Sequence, residues 1–161
     1  MDLVYIGKLV NTHGIKGEVR ILSDFKYKDS AFKIGNTLII DNDNLVINTY
    51  RVHKNYDMVT FKDIYNINDV LKYKDSNVYI KRNDLNISGI LDQDLIGMSV
   101  YDKDKYMGKI VDIYRTKKDD LLVVDGIKKH MVPNIPIFIK NIDIKNNKIE
   151  VNYIKGLVDE D

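Results

Sequence analysis

Val4-Tyr5-Ile6-Gly7-Lys8-Leu9-Val10-Asn11-Thr12-His13-Gly14-Ile15-Lys16-Gly17-Glu18-Val19-Arg20-Ile21-Leu22 is the stretch that decides the fold class. Two runs rich in Ile, Val, Leu and Tyr flank a short loop with two glycines. The first run, residues 5–10, reads as a strand, and Glu18–Leu22 alternates apolar and polar residues as a returning strand does. His13-Gly14-Ile15-Lys16-Gly17 is the connection, because glycine takes the positive φ that a tight turn demands. Outward from this hairpin the pattern repeats. Thr37–Ile40, residues 45–53, 58–62 and 77–81 read as strands. Asp41-Asn42-Asp43-Asn44 and Lys54-Asn55-Tyr56-Asp57 supply turns between them. A single short helix is expected over residues 68–73, capped by Asn68.

The pattern weakens over residues 85–93 and then restarts. Strands are expected at residues 97–101, 108–114, 121–125, 130–132 and 149–152, with residues 133–141 as a loop or short helical turn broken by Pro133 and Pro136. The chain is thus read as all-β: residues 1–84 and 94–161 are two small barrels joined by a linker at 85–93. Closing a short-stranded sheet removes exposed edges, which favours barrels. Gly7-Lys8-Leu9-Val10 and Gly108-Lys109-Ile110-Val111 echo each other, but four residues do not establish a repeat.

Composition narrows the chemistry. The 161 residues carry 25 Lys and Arg against 24 Asp and Glu, so contact with nucleic acid must come from a local patch. There is no cysteine, which excludes disulfides, thiolate metal sites and cysteine nucleophiles. Neither a metal-ligand spacing, a Walker A loop nor a nucleophile elbow is present, so no metal and no cofactor are expected. No segment approaches the roughly 20 apolar residues of a membrane span. The N-terminus has an acid where a secretory signal has positive charge, so a cytoplasmic protein with no membrane partner is expected.

The candidate binding groups lie early. Lys8, Lys16, Arg20, Lys26, Lys28 and Lys33 are interleaved with Tyr5, Phe25, Tyr27 and Phe32. Cations for phosphates and rings for bases are the ingredients of single-stranded RNA recognition. A solvated face over core aromatics would read the same way. The His13–Gly17 loop can present backbone N–H groups and Lys16 to a phosphate or a protein groove, or it can be a plain turn. Asp119-Asp120 are adjacent on a strand and point to opposite faces, which suits a turn better than a shared ligand.

Taken in order, these strings resemble the RimM family of bacterial ribosome maturation factors. Val4 to Val19 resembles the family's opening strand and His-Gly-Ile-Lys-Gly-Glu-Val loop, and Ser23-Asp24-Phe25 resembles its next segment. Asp57-Met58-Val59-Thr60-Phe61-Lys62, followed by Ile67-Asn68-Asp69-Val70-Leu71, resembles its later strand and short helix. Asp94-Leu95-Ile96-Gly97, Met107-Gly108-Lys109-Ile110-Val111-Asp112, Asp120-Leu121-Leu122-Val123-Val124, Met131-Val132-Pro133, Ile142-Asp143-Ile144 and Lys155-Gly156-Leu157 resemble its PRC barrel.

The resemblance implies an N-terminal barrel like the second domain of translation elongation factors, and a C-terminal PRC barrel. It implies a non-enzymatic factor that binds the immature 30S subunit near the head and assists late assembly and 16S rRNA processing. The implied partners are 16S rRNA and the small-subunit ribosomal protein numbered nineteen, with the factor acting as a monomer. Lys8, His13, Gly14, Lys16, Gly17 and Arg20 are the expected rRNA or ribosome contacts. Ile90, Leu91 and Leu95 are the expected ribosomal-protein interface. The family usually has Glu-Tyr-Tyr in this last region, where this chain has Gly89-Ile90-Leu91-Asp92. Two rival readings stay open: a hydrolase using His13 and Asp24, and a PRC-type adaptor that binds only protein.

Overall fold

A computed structural model describes residues 2–87 and 89–154. The chain divides into two compact units, Met1–Ser88 and Gly89–Asp161. The first contains six strands: β1 (Leu3–His13), β2 (Glu18–Leu22), β3 (Thr37–Ile40), β4 (Asp43–His53), β5 (Tyr56–Phe61) and β6 (Asn77–Lys81). They form a closed barrel in the order β1-β2-β5-β4-β3-β6.

Closure requires β1 to serve two neighbours. Leu9 to His13 pair with Ile21 to Glu18, and Leu3 to Tyr5 pair with Lys81 to Tyr79. The strand bends between these ladders, with register shifts at Tyr5/Gly7 on the β6 side and Leu9/Asn11 on the β2 side. Such bulges raise local twist and let a strand turn a corner. Gly7 is the pinch point, because a Cβ there would stand 2.7 Å from the Leu22 carbonyl oxygen.

The inward positions alternate along each strand, as a half-buried sheet requires. Ile6, Leu9, Ile21, Leu38, Ile40, Ile47, Phe61 and Ile80 are all at most 1% exposed. Asp41 and Asn42 both take positive φ, the backbone of a two-residue hairpin turn.

Three local features differ from the sequence expectation. The helix over 68–73 is a pair of 3-10 turns, Ile67–Asp69 and Leu71–Tyr73. Its cap is Asn66, whose side chain accepts from the Asn68 N–H, so Asn68 is not the cap. Tyr73 then donates to Asp43 at 2.6 Å, and burial together with that bond pushes its hydroxyl pKa up to about 12. A short helix, α1 (Lys28–Ala31), which the periodicity did not reveal, lies beside the barrel. Phe32 after it stacks on Tyr50 at 5.4 Å.

The second unit holds a short helix, α2 (Asp92–Leu95), and six strands: β7 (Ser99–Asp102), β8 (Lys105–Arg115), β9 (Asp120–Asp125), β10 (His130–Pro133), β11 (Ile139–Asp143) and β12 (Lys148–Val151). Their order is β10-β9-β8-β7-β12-β11. Among the described residues no ladder joins β10 to β11, so this sheet is not closed by hydrogen bonds as the first is. β11 begins within residues 133–141, which the prolines marked as loop. The turn is real, since Phe138 and Ile139 N–H groups return to the Ile135 carbonyl, but it ends in time for a strand to pair with β12. α2 begins inside the expected linker. The string Lys155-Gly156-Leu157 lies outside the described residues.

Gly7→Ala should destabilise the chain by about 1–3 kcal/mol, as overpacking does. Gly35→Ala meets nothing within 4 Å and reports only the cost of its positive φ. Urea unfolding of the two variants separates the clash from the backbone effect.

Candidate nucleic-acid interface

The outward face of the first barrel carries Lys8, His13 and Arg20. On β1 and β2 the rungs Lys8–Leu22, Asn11–Arg20 and His13–Glu18 follow one another. β5 lies beside β2, and β4 beside β5, so Met58 stands opposite both Arg20 and Arg51, and Tyr56 opposite His53. Met58 is fully buried at an outward-facing position, so long neighbouring side chains must cover it.

These side chains form one layer. An Arg20 nitrogen lies 2.7 Å from His13 Nδ1. Guanidinium can only donate, so Nδ1 accepts and the imidazole proton resides on Nε2. The Arg20 guanidinium also sits 5.8 Å from the Tyr56 ring centroid. The His13 and His53 rings are 5.9 Å apart. Arg51 grips Glu18 with two bonds of 3.0 and 2.7 Å. The hydrogen bond from Arg51 holds the Glu18 carboxyl below its ordinary range, and the Arg51 charge adds to this. One carboxylate therefore stands among two arginines and two histidines.

The loop between β1 and β2 projects from this layer. Gly14 and Gly17 have φ of +73° and +99°. Ile15 and Lys16 are exposed, and the Ile15 carbonyl accepts from the Ile67 N–H at 2.9 Å, which anchors the loop's base. Gly17 is buried, so it shapes the loop and offers no surface. Lys8 is exposed beside Leu22, further along β1.

His13 and Arg20 thus meet directly, with Lys16 in the adjoining loop and Lys8 along the strand. Arg51, His53 and Tyr56 join them without having been expected. Their signal was the alternation Thr49, Arg51, His53 against Tyr50 and Val52, but the face they share with Arg20 depends on the β2–β5 pairing. His13 faces a guanidinium at Nδ1, which is not the carboxylate-oriented base that a hydrolase would use.

The expected protein interface is placed differently. Leu91 and Leu95 are each 3% exposed. Leu95 belongs to the core of the second unit with Met98, Val100, Ile110 and Leu122, and Ile90 packs against that core partly buried. Their side chains hold α2 to the sheet. The Leu91 N–H donates to Asp94 at 2.9 Å, a local tie across the helix start. Among the described residues no group of three His, Cys, Asp or Glu side chains is placed to hold a metal ion. Among the described residues no helix is long and apolar enough to cross a membrane.

Two family models match the chain: the RimM N-terminal domain over residues 4–85 and the RimM PRC barrel domain over residues 92–157. The chain belongs to the RimM family. Ribosome maturation factor RimM of Staphylococcus haemolyticus is 38% identical, over 97% of this chain and 99% of that one. Its Staphylococcus aureus counterpart is 35% identical with the same coverage. A RimM crystal structure from Pseudomonas aeruginosa matches at 22% identity and a TM-score of 0.47, covering 95% of this chain and 98% of that one. The RimM models assign the second sheet to a PRC barrel, although its strand ladder is open here.

Glu18 gives a test of the layer. Its carboxyl pKa is depressed from 4.5, so the stability it contributes is present above that value and is lost as pH falls through the folded-state value. Glu18→Gln should therefore lower the melting temperature at pH 7, and the difference from the parent should shrink as the pH is taken down below 4.5. Arg51→Gln should reproduce the effect.

Proposed function

We propose that this chain binds the head of the immature 30S subunit and assists late assembly and 16S rRNA processing by binding alone. RimM-family membership supports the maturation role. The observation that supports an RNA contact is the layer of Arg20, Arg51, His13, His53 and Tyr56 on one barrel face, with Lys16 projecting beside it. Phosphates are met by the cations and unstacked bases by the rings. Binding of this kind promotes folding when the factor has higher affinity for the native-like rRNA arrangement than for its competitors. The protein acts in the cytoplasm as a monomer.

The partner on the protein side is the small-subunit ribosomal protein numbered nineteen. Ile90, Leu91 and Leu95 serve that contact by fixing the surface around α2. Ile96, at the end of α2 and 45% exposed, offers the apolar side chain that the buried leucines do not.

Lys16→Glu and Arg20→Glu test the reading. Tagged protein should pellet with immature small subunits and not with mature 70S particles. Each substitution should weaken subunit binding at least tenfold, and Lys16→Glu should leave the melting temperature unchanged. For Lys16→Glu the slope of log affinity against log salt should fall by about 1. Equal recovery from immature and mature particles would sink the maturation role.

A further inference from the structure

Strand alternation assigns every second residue of 11–13, 18–22, 49–53 and 56–60 to the outward side of the first barrel, and Glu18 is the one acid among them. Asp57, the other acid in these spans, shares the opposite side with Ile21 and Val52, where it is 1% exposed and 2.9 Å from the Lys28 ammonium. Arg51 gives Glu18 its Nε and Nη2 donors, one to each carboxylate oxygen. The Glu18 side chain is 16% exposed and that of Arg51 50%. Arg20 stands opposite Met58, as Arg51 does, and its buried Nε has no hydrogen-bond partner among the described residues. The layer thus holds one anion, and more donor capacity than that anion fills.

We propose that the position of the Glu18 carboxylate is a phosphate subsite, which Glu18 fills in the free protein and yields to one RNA backbone phosphate on binding. This deepens the rRNA-binding reading and rests on it. Two parallel bonds from a guanidinium are the geometry by which arginine takes carboxylate and phosphate alike, so Glu18 marks where an oxyanion fits. The two anions differ in reach. The Glu18 carboxylate is tethered to β2 and bonds to Arg51 alone. A backbone phosphate carries two unesterified oxygens on a tetrahedral centre and no such tether, so it can bridge Arg51 and Arg20 and meet the unfilled donor. An ion pair with a half-exposed partner is weak, so the exchange costs little. Lys16 is exposed in the adjoining loop. Three cations on a face with a single acid favour a strand of successive phosphates over one acidic side chain of a protein partner. Glu18 competes with that strand for Arg51, which lowers the affinity of the face and eases release.

The test is Glu18→Gln, which keeps the side chain's shape and removes its charge, assayed below its melting temperature; Glu18→Ala replaces it should the first variant not fold. The variant should bind immature small subunits roughly threefold more tightly than the parent at equal salt. Adding Arg51→Gln should abolish the gain. In titrations of the 15N-labelled full chain, inorganic phosphate should shift the Arg51 Nε–H signal saturably, and roughly threefold more tightly in the variant than in the parent. If Arg20→Glu weakens subunit binding, as the rRNA reading requires, unchanged or weaker binding by the Glu18 variant refutes the subsite and leaves that reading standing. If Arg20→Glu pellets normally, the reading is refuted, and the phosphate titration decides whether the anion position exists. Absence of a phosphate response at Arg51 refutes the subsite in either case, and so does a tighter response there to an oligoglutamate peptide than to oligouridylate.

Discussion

The first barrel depends on one strand pairing on both sides. β1 gives one stretch to β2 and another to β6, and it can do so only by bending between them. The bend needs Gly7, where β1 passes so near the Leu22 carbonyl that no side chain fits. It also needs the unpaired residue Val10, which shifts the register between Leu9 and Asn11. Once β1 turns this corner, the ring of ladders has no free edge, and Ile6, Leu9 and Ile21 come together inside it.

The same device recurs in the second unit. Gly108 has φ of +133°, and a Cβ there would lie 2.5 Å from the Asp125 carbonyl oxygen. The register of β8 against β9 shifts between Ile110 and Asp112, leaving Val111 as the extra residue. Gly7-Lys8-Leu9-Val10 and Gly108-Lys109-Ile110-Val111 therefore do the same job: a glycine at a close crossing, followed by a bulge at valine. The likeness of the strings is explained by a shared backbone requirement, whether or not they share an origin. The outcomes differ, because the second sheet keeps two ends while the first closes.

Closure also creates the candidate binding face. Arg20 and Arg51 are 31 positions apart in the chain, yet both stand across from Met58, because β5 runs between β2 and β4. The layer is held by directed bonds, from Arg20 to His13 and from Arg51 to Glu18, so its charges are presented in an ordered array. A RimM-family chain with nearly balanced overall charge can in this way concentrate cations and rings on one local surface.

Local chemistry in the chain was enough to define most elements. Strand alternation, the glycine loop after His13 and the Asp41-Asn42 turn are governed by side-chain period and backbone sterics, which act over a few residues. The cationic candidates His13, Lys16 and Arg20 were legible for the same reason. Other features depended on partners distant in sequence. The strand Ile139–Asp143 exists because β12 pairs with it, despite two prolines just upstream. Leu91 and Leu95 were interface candidates through the family resemblance, which carries no burial; both are buried in the fold, Leu95 within the core of the second unit. Arg51, His53 and Tyr56 joined the site, and Asp57 was buried beside Lys28, only through the pairing of β2 with β5 and the docking of α1. A one-dimensional pattern shows which side of a strand is polar; three-dimensional closure selects which polar sides meet.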